Sequence, residues 1–146
     1  MANVTITISG IKNLQRKLGN MKSQKATRFA VSQATALVEG AARAGCSVKT
    51  GGLRNSIHMR IEESERRVVG IVYTSMEHAP FVEFGTGVRG DGSYPYEKQA
   101  NLALSYDPEW PGQVAQPFLV PALLSNRNRI NKLIAAATIS GVTGGK

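Results

Sequence analysis

The spacing of hydrophobic residues changes along this 146-residue chain, and it predicts which segments form strands and which form helices. Residues 4–8 alternate between β-branched aliphatic residues and threonines, which predicts a half-buried strand. Apolar residues then recur at spacings of three and four, which predicts a short helix over residues 11–21. The same spacing predicts a longer helix over residues 24–44, with Ser23 as its N-cap.

The longer helix has a narrow apolar stripe of mostly small residues. The stripe consists of Ala26, Ala30, Ala34, Leu37, Ala41 and Ala44. Because small side chains let another element approach closely, we expect this helix to lie tightly against a sheet. Gly45 is a suitable C-terminal stop.

A β-hairpin is predicted after this helix. Thr50-Gly51-Gly52 has the composition of a turn, and alternation from Leu53 to Ile61 predicts a strand. A polar connection leads to a second predicted strand over residues 67–74, antiparallel to the first.

The C-terminal part predicts one more helix. Pro121 suits its first position, where a missing N–H costs nothing, and the apolar side continues to about residue 138. Together the elements predict an α+β fold, with an antiparallel sheet of about four to five strands packed by a long N-terminal helix and a C-terminal helix. We expect one domain over residues 1–140 and a flexible tail over residues 141–146.

The stretch from Ala79 to Gly87 contains a carboxylate among hydrophobic residues. Glu83 lies between Val82 and Phe84, and the segment ends at Gly85-Thr86-Gly87. A buried carboxylate is costly unless something pairs with it, so Glu83 must face water or meet a partner. That partner belongs either to the same chain or to another subunit.

Residues 85–115 form a long excursion rich in proline and glycine, which also contains Tyr94, Tyr96, Tyr106 and Trp110. Loops of this length in compact domains are usually functional or mobile. Their aromatic residues either anchor an interface or fold back on the loop itself.

Charge is unevenly distributed along the chain, which has a net charge of +8. Residues 1–61 carry a net charge of +9, residues 62–115 of −5, and residues 116–146 of +4. A strongly basic protein favours a nucleic-acid partner, whereas segregated charge suits subunits that stack with opposite patches facing. Composition alone does not decide between these two functions.

Candidate chemistry is sparse. The two histidines, His58 and His78, have no cluster of metal-ligating residues around them in the sequence, and Cys46 is the single cysteine. The segment Gly85–Gly90 lacks the Gly-Lys-Ser/Thr ending of a phosphate loop, and nothing fixes the separation of Glu83 from Asp91 as an acid–base pair. We therefore expect no enzyme, no metal, no cofactor and no membrane span.

Three segments, in this order, resemble one protein family. They are Thr50-Gly51-x-Leu53-Arg54-x-Ser56-Ile57, Ala79-x-x-Val82-Glu83-Phe84-Gly85-Thr86-Gly87 and Ala115-Gln116-Pro117-Phe118-Leu119-x-Pro121-Ala122-Leu123. Over about residues 5–137 the chain resembles minor tail components, or tail-completion (head–tail joining) proteins, of long-tailed bacteriophages with non-contractile tails. It departs from the pattern at His78-Ala79, where the family commonly has Tyr-Ala, and in a longer excursion over residues 88–114.

The resemblance implies a structural virion protein that forms a ring, of six subunits, at the tail end or in the neck. Such a ring completes the tail and joins it to the head. The implied partners are further copies of the chain, the tail-tube protein, neck and head-completion proteins, and non-specifically the DNA that passes through the lumen. Assembly would take place in the host cytoplasm. The alternative is a basic nucleic-acid-binding module without catalytic activity.

A ring requires residues that contact neighbouring subunits or partners. The residues expected there are Arg54, Glu83, Phe84, Thr86, Arg89, Tyr94, Tyr96, Trp110 and Phe118. We expect Glu83 to pair with an arginine within the ring, with Arg54 as the first choice. Charge reversal at Glu83 would then block assembly and leave the fold of the monomer intact.

Overall fold

The computed structural model describes residues 24–48, 51–64, 67–96 and 109–143. Its elements, in chain order, are α1 (Gln24–Gly45), α2 (Gly52–Asn55), β1 (Ile57–Ser64), β2 (Arg67–Thr74), α3 (Ala79–Phe84), α4 (Gly87–Gly90) and α5 (Leu119–Thr143). These elements confirm an α+β fold in which one long helix precedes an antiparallel hairpin in the chain and another follows it. The C-terminal helix α5 packs mainly on α1 rather than on the hairpin. The strand predicted over residues 4–8, the helix predicted over residues 11–21 and the N-cap predicted at Ser23 lie outside the described residues.

The two strands form the predicted antiparallel hairpin. Ile57 lies opposite Thr74 at one end, and Ser64 lies opposite Arg67 at the other. Across the described residues there is one further isolated bridge, between Thr86 and Gln113. The expectation of four to five strands is therefore wrong for this part of the chain.

The first strand also begins later than predicted. Residues 52–55 form a helical turn, because the N–H groups of Asn55 and Ser56 donate to the carbonyls of Gly51 and Gly52. Gly51 has φ +80°, a conformation that favours glycine, and it directs the chain into this turn. Leu53 and Asn55 fit the alternation of β1, which is why the sequence predicts that the strand begins there. In the structure, local hydrogen bonds of the helical turn take the place of strand pairing at these residues.

Helix α1 packs along one face of the hairpin. Near its start, Arg28 forms an ion pair with Glu63 at 3.4 Å, and near its end Arg43 donates to the carbonyl of Ile57 at 2.6 Å. Midway, Thr35 lies directly against Gly70 of β2. Because Glu63 and Ile57 stand at opposite ends of β1, these contacts fix the directions: β2 runs parallel to α1, and β1 runs antiparallel to it.

The small side chains of α1 allow this close packing, as predicted. The buried residues of the helix are Ala30, Ala34, Thr35, Val38 and Ala42. The stripe differs from the predicted one in the second half of the helix. Val38 and Ala42 are buried there, whereas the predicted Leu37 and Ala41 are only half-buried. Ala44, the last residue of the predicted stripe, is exposed. Steps of four residues from Ala34 keep Val38 and Ala42 on the face that meets the core.

The core lies where α1 ends, the hairpin begins and α5 starts. The cluster of buried residues comprises Val38, Ala42, Cys46, Leu53, Ile57, Ala79, Phe118 and Ala122. Phe118 has 1% of its surface exposed and is among the largest fully buried side chains. Burial of a Phe or Ile side chain contributes about 1.5–3 kcal/mol, so this cluster holds together segments that are distant in sequence.

Helix α5 begins two residues earlier than predicted and ends at Thr143 rather than near residue 138. Pro121 is consequently the third helical residue. It is tolerated there because the first-turn N–H groups of a helix have no intrahelical acceptor. Of the tail predicted over residues 141–146, the first three residues are helical, and residues 144–146 lie outside the described part.

The contact between Gly70 and Thr35 yields a prediction about stability. A Cβ added at Gly70 would overlap the Thr35 hydroxyl, so Gly70→Ala is expected to lower the free energy of unfolding by roughly 1–3 kcal/mol. Urea denaturation followed by circular dichroism measures this change. The cost should become smaller in a Thr35→Ala background, which removes the overlapping oxygen.

Gly40 provides the matched control, because a Cβ there meets nothing within 4 Å in the middle of α1. Gly40→Ala is expected to stabilise the protein by about 0.5–1 kcal/mol through helix propensity alone. Equal effects of the two substitutions would contradict the close approach of α1 to β2.

Candidate functional site

The stretch that begins at Ala79 folds as a short helix, α3, which positions Glu83. Pro80 is accommodated in the first turn, where its missing N–H is not needed. The helix stops at Gly85, which has φ +76°. This geometry turns Glu83 into the interior, where 3% of its surface is exposed.

The carboxylate of Glu83 caps the N-terminus of α5. Its Oε2 accepts the backbone N–H groups of Phe118 at 2.7 Å and Leu119 at 2.9 Å, and its Oε1 accepts that of Val120 at 3.1 Å. These three residues are the N-cap and the first two positions of the helix. The next residue is Pro121, which has no N–H. A single side chain therefore satisfies every N–H group that this helix end leaves without an intrahelical acceptor.

This arrangement explains how a carboxylate can be buried among hydrophobic residues. Hydrogen bonds to an ionised acceptor are stronger than neutral ones, and a negative charge is favoured at a helix N-terminus. The expectation that Glu83 pairs with Arg54 is therefore wrong: its partners are backbone amides of its own chain, and Arg54 is exposed. Charge reversal at Glu83 would disturb the fold itself and not only assembly.

The Gly-Thr-Gly turn that follows α3 pairs with the far end of the excursion. Thr86 and Gln113 exchange two backbone hydrogen bonds, both of 2.9 Å. The N–H groups of Val88 and Arg89 then donate to the carbonyls of Trp110 and Pro111, at 3.1 and 3.0 Å. The two ends of the excursion are thereby held side by side.

Two glycines make this pairing possible. Gly87 has φ +64° and Gly112 has φ +60°. A Cβ on Gly87 would overlap the Trp110 carbonyl, and a Cβ on Gly112 would overlap the Thr86 carbonyl. We call this point, where the backbones at Gly87 and Gly112 meet, the crossing. The two backbones are closer there than residues with a side chain would allow.

Residues after the crossing are fixed against α3 before they reach Glu83. The side chain of Gln113 donates to the Phe81 carbonyl at 3.0 Å, and the N–H of Gln116 donates to the Val82 carbonyl at 2.8 Å. Neither glutamine is among the residues that the sequence predicts to have a functional role. Gln116 is within the third of the motifs that carry the family resemblance, which was the available signal for it.

The aromatic residues of the first part of the excursion fold back onto α3. The rings of Phe84 and Tyr94 are 4.9 Å apart, and those of Tyr94 and Tyr96 are 5.5 Å apart, both in edge geometry. Burial raises the pKa of Tyr94, and the nearby Glu83 and Tyr96 raise it further. Tyr94 therefore remains a neutral phenol at physiological pH. Tyr106 lies outside the described residues.

The residues expected at an interface thus fall into three groups by exposure. Glu83, Thr86, Tyr94 and Phe118 are buried within the chain. Phe84 and Tyr96 are half-buried in the aromatic stack. Arg54, Arg89 and Trp110 are exposed, and for them contact with a neighbour remains a prediction.

The exposed members have apolar neighbours at the crossing. Val88, Trp110 and Val114 are 64%, 50% and 52% exposed. We call these three residues together with Arg89 the crossing surface. Beside it lies a depression of about 420 Å³, lined by Val48, His78, Phe81, Trp110, Gln113 and Gln116 among others.

The part of the chain that the structure describes contains neither a candidate metal site nor a membrane-spanning helix. Those residues contain no group of three or more His, Cys, Asp or Glu side chains able to hold a metal ion. None of their helices is both long and apolar enough to cross a membrane.

Burial raises the pKa of the Cys46 thiol, which lies in the core cluster.

The fold and the site define an α+β structural module whose buried carboxylate serves as a helix cap. A family model described as "Bacteriophage HK97-gp10, putative tail-component" matches residues 11–85, which is half of the chain. The chain belongs to this HK97-gp10-like family of phage tail components, which confirms the resemblance found in the sequence. Its role is accordingly a structural one in the phage tail, and its location is the virion. Searches of curated proteins and of solved structures gave no match.

The cap at Glu83 yields a prediction about stability. Glu83→Ala is expected to lower the free energy of unfolding by roughly 3–5 kcal/mol, because one buried and two partly buried N–H groups lose a charged acceptor. Glu83→Gln should cost less than Glu83→Ala, since one carbonyl oxygen remains to accept a hydrogen bond. Chemical denaturation measures both changes.

Glu63 offers a matched control, since its ion pair with Arg28 lies at the surface. Glu63→Ala should change the free energy of unfolding by less than about 1 kcal/mol. A Glu83→Ala protein as stable as the Glu63→Ala protein would show that the carboxylate does not cap α5.

Proposed function

We propose that this protein completes the phage tail as a ring of identical subunits, at the tail end or in the neck, and joins the tail to the head. Its membership of a family of tail components supports a role in the tail. The observation that carries the ring is the crossing surface, which presents exposed apolar residues on a rigid backbone.

The crossing surface has the properties of a contact site. Trp and Arg are the residue types most often found at interface hot spots, and Trp110 and Arg89 are both exposed there. The hydrogen bonds from Val88 and Arg89 to Trp110 and Pro111 hold the backbone in place before any partner arrives. Such pre-organisation lowers the entropic cost of binding.

The charge distribution supports contacts between unlike surfaces of neighbouring copies. Glu77 and Asp91 are exposed in the acidic middle of the chain. Arg127, Arg129 and Lys132 are exposed on α5, and residues 116–146 contain no acid. A contact between the basic patch of one copy and the acidic patch of the next is head-to-tail, and such contacts form a ring when the rotation between copies closes. Six is the copy number that the family resemblance implies.

The same basic residues of α5 are candidates for non-specific contact with DNA in the lumen, which requires only positive potential. The alternative of a nucleic-acid-binding module has less support from α1 and β1. Arg28, Arg43 and Arg60 are each paired with a glutamate there, at 3.4, 2.9 and 2.9 Å. These pairs leave less charge available for phosphates.

Multi-angle light scattering and negative-stain electron microscopy of the purified protein, alone and mixed with tail tubes, test the proposal. We expect closed rings in at least one of these samples, or density that caps the tube ends. A protein that stays monomeric in both samples would overturn the proposal. Salt-sensitive DNA binding by such a monomer would favour the alternative function.

The crossing surface yields a prediction about assembly. Trp110→Ala is expected to weaken ring formation or tube capping by about thirtyfold or more, which corresponds to the loss of about 2 kcal/mol at a hot spot. Sedimentation velocity over a concentration series measures the change. The variant should keep the circular dichroism spectrum and thermal midpoint of the parent, since half of the side chain is exposed.

Phe29→Ala serves as the control, because Phe29 is a comparably exposed aromatic residue, 65% exposed on α1. If this substitution weakens assembly as much as Trp110→Ala does, the crossing surface is not the specific contact.

A further inference from the structure

The depression beside the crossing surface lies where the three segments that carry the family resemblance meet. The first segment contributes Gly51 and Leu53 to its lining, the second contributes Val82 and Thr86, and the third contributes Gln116. Its volume of about 420 Å³ is within the range of clefts that hold ligands, about 300–1,000 Å³. These segments therefore build a recess at the surface as well as part of the core.

The chemistry of the depression selects an uncharged occupant. Its described lining residues include no Asp, Glu, Lys or Arg. Phe81 and Trp110 provide apolar surface, and Ser47 and Gln116 provide neutral hydrogen-bonding groups. Trp110 also belongs to the crossing surface, so a side chain that enters the depression meets the proposed contact site as well.

Helix α5 has an exposed apolar residue on the face that is turned away from the core. Leu124 is 48% exposed. The residues one and two turns further along this face are Arg127, Asn128 and Asn131, and all three are exposed. We call these four residues the outer face of α5. A single exposed leucine is common on protein surfaces, so its surroundings decide whether it is a contact.

The surroundings of Leu124 complement those of the depression. Arg127 is exposed and forms no ion pair among the described residues, and residues 116–146 contain no acid that could neutralise it locally. Glu77 precedes His78, which lines the depression, and this glutamate is likewise exposed and has no ion pair within the described part. An uncharged recess beside an acid thus matches an apolar side chain beside a base.

The two surfaces can meet between two copies of the chain but not within one. The cap at Glu83 fixes the start of α5, and the helix packs along α1. Leu124 therefore points outward from a fixed helix and can enter the depression of another copy. The contact joins two different patches, so it is head-to-tail, as a ring requires.

We propose that the outer face of α5 of one copy binds the crossing surface and the depression of the next copy. Leu124 enters the depression beside Trp110, and Arg127 pairs with Glu77. This inference rests on the proposed ring, to which it adds the two surfaces that form the contact between neighbouring subunits.

The apolar part of the contact is tested by Leu124→Ala, which is expected to weaken ring formation or tube capping by about tenfold or more. Leu123→Ala is the matched control. Leu123 is the same residue type and is 53% exposed, but it lines the groove between β2 and α5 and should change assembly by less than about threefold. Sedimentation velocity over a concentration series measures both changes. Equal effects of the two substitutions, or no effect of Leu124→Ala, would overturn the proposal.

The ion pair is tested by exchanging its charges. Glu77→Arg and Arg127→Glu are each expected to weaken assembly by about tenfold or more, because each places like charges opposite one another. The double variant should return to within about threefold of the parent, since the pair is formed again with its charges reversed. Arg129→Glu makes the same charge change on another face of α5, and it should not restore assembly to Glu77→Arg. Losses that add in the Glu77 and Arg127 double variant would contradict the pairing.

The unmodified protein separates failure of this inference from failure of the proposed function. Rings or capped tubes that persist in Leu124→Ala and in both single charge variants would overturn the contact and leave the proposed ring in place. A parent protein that stays monomeric both alone and with tail tubes would overturn the two together. Circular dichroism checks that each variant keeps the fold of the parent.

Discussion

The hydrogen bonds from the start of α5 to the carboxylate of Glu83 are the constraint on which the rest of this structure depends. They join residues 35 to 37 positions apart, and they resolve two costs with one contact. A buried carboxylate needs donors, and a buried helix N-terminus needs acceptors. The carboxylate of Glu83 accepts the N–H groups of the helix, and those N–H groups satisfy the carboxylate. Pro121, the next residue, has no N–H group that would need a further acceptor.

This contact also determines where the exposed surface lies. Glu83 fixes the start of α5, and Gln113 and Gln116 are bonded to carbonyls of α3 on the way to it. The crossing of Gly87 and Gly112 is thereby held in place. Trp110 is presented at the surface by a backbone whose carbonyls at Trp110 and Pro111 accept hydrogen bonds from Val88 and Arg89. The interior and the proposed contact site are therefore parts of one hydrogen-bonded unit.

Local patterns in the sequence predicted the local elements well. The hairpin and α1 follow from periodicity, because each is stabilised by an apolar face that repeats every two or every three to four residues. The turn at residues 52–55 was missed because Leu53 and Ile57 fit a strand and a helical turn equally well. For Tyr94 and Tyr96 the sequence left two alternatives open: the rings either anchor an interface or fold back within the chain. In the structure Tyr94 packs on Phe84 and Tyr96 packs on Tyr94, which is the second alternative.

The role of Glu83 was only half predictable. The sequence shows that the carboxylate needs a partner, but a cap supplied from 35 residues away is a tertiary contact without a local pattern. One signal did exist at the other end. The residue at the N-cap of α5 is Phe118, which has no side-chain acceptor, and the first turn contains no acidic residue. A helix that begins in this way in the interior requires an acceptor from elsewhere, and Glu83 lies in the motif that precedes it. Loss of assembly in a Glu83 variant would accordingly report a displaced crossing surface, whereas loss of assembly in a Trp110 variant that keeps its fold would report the contact itself.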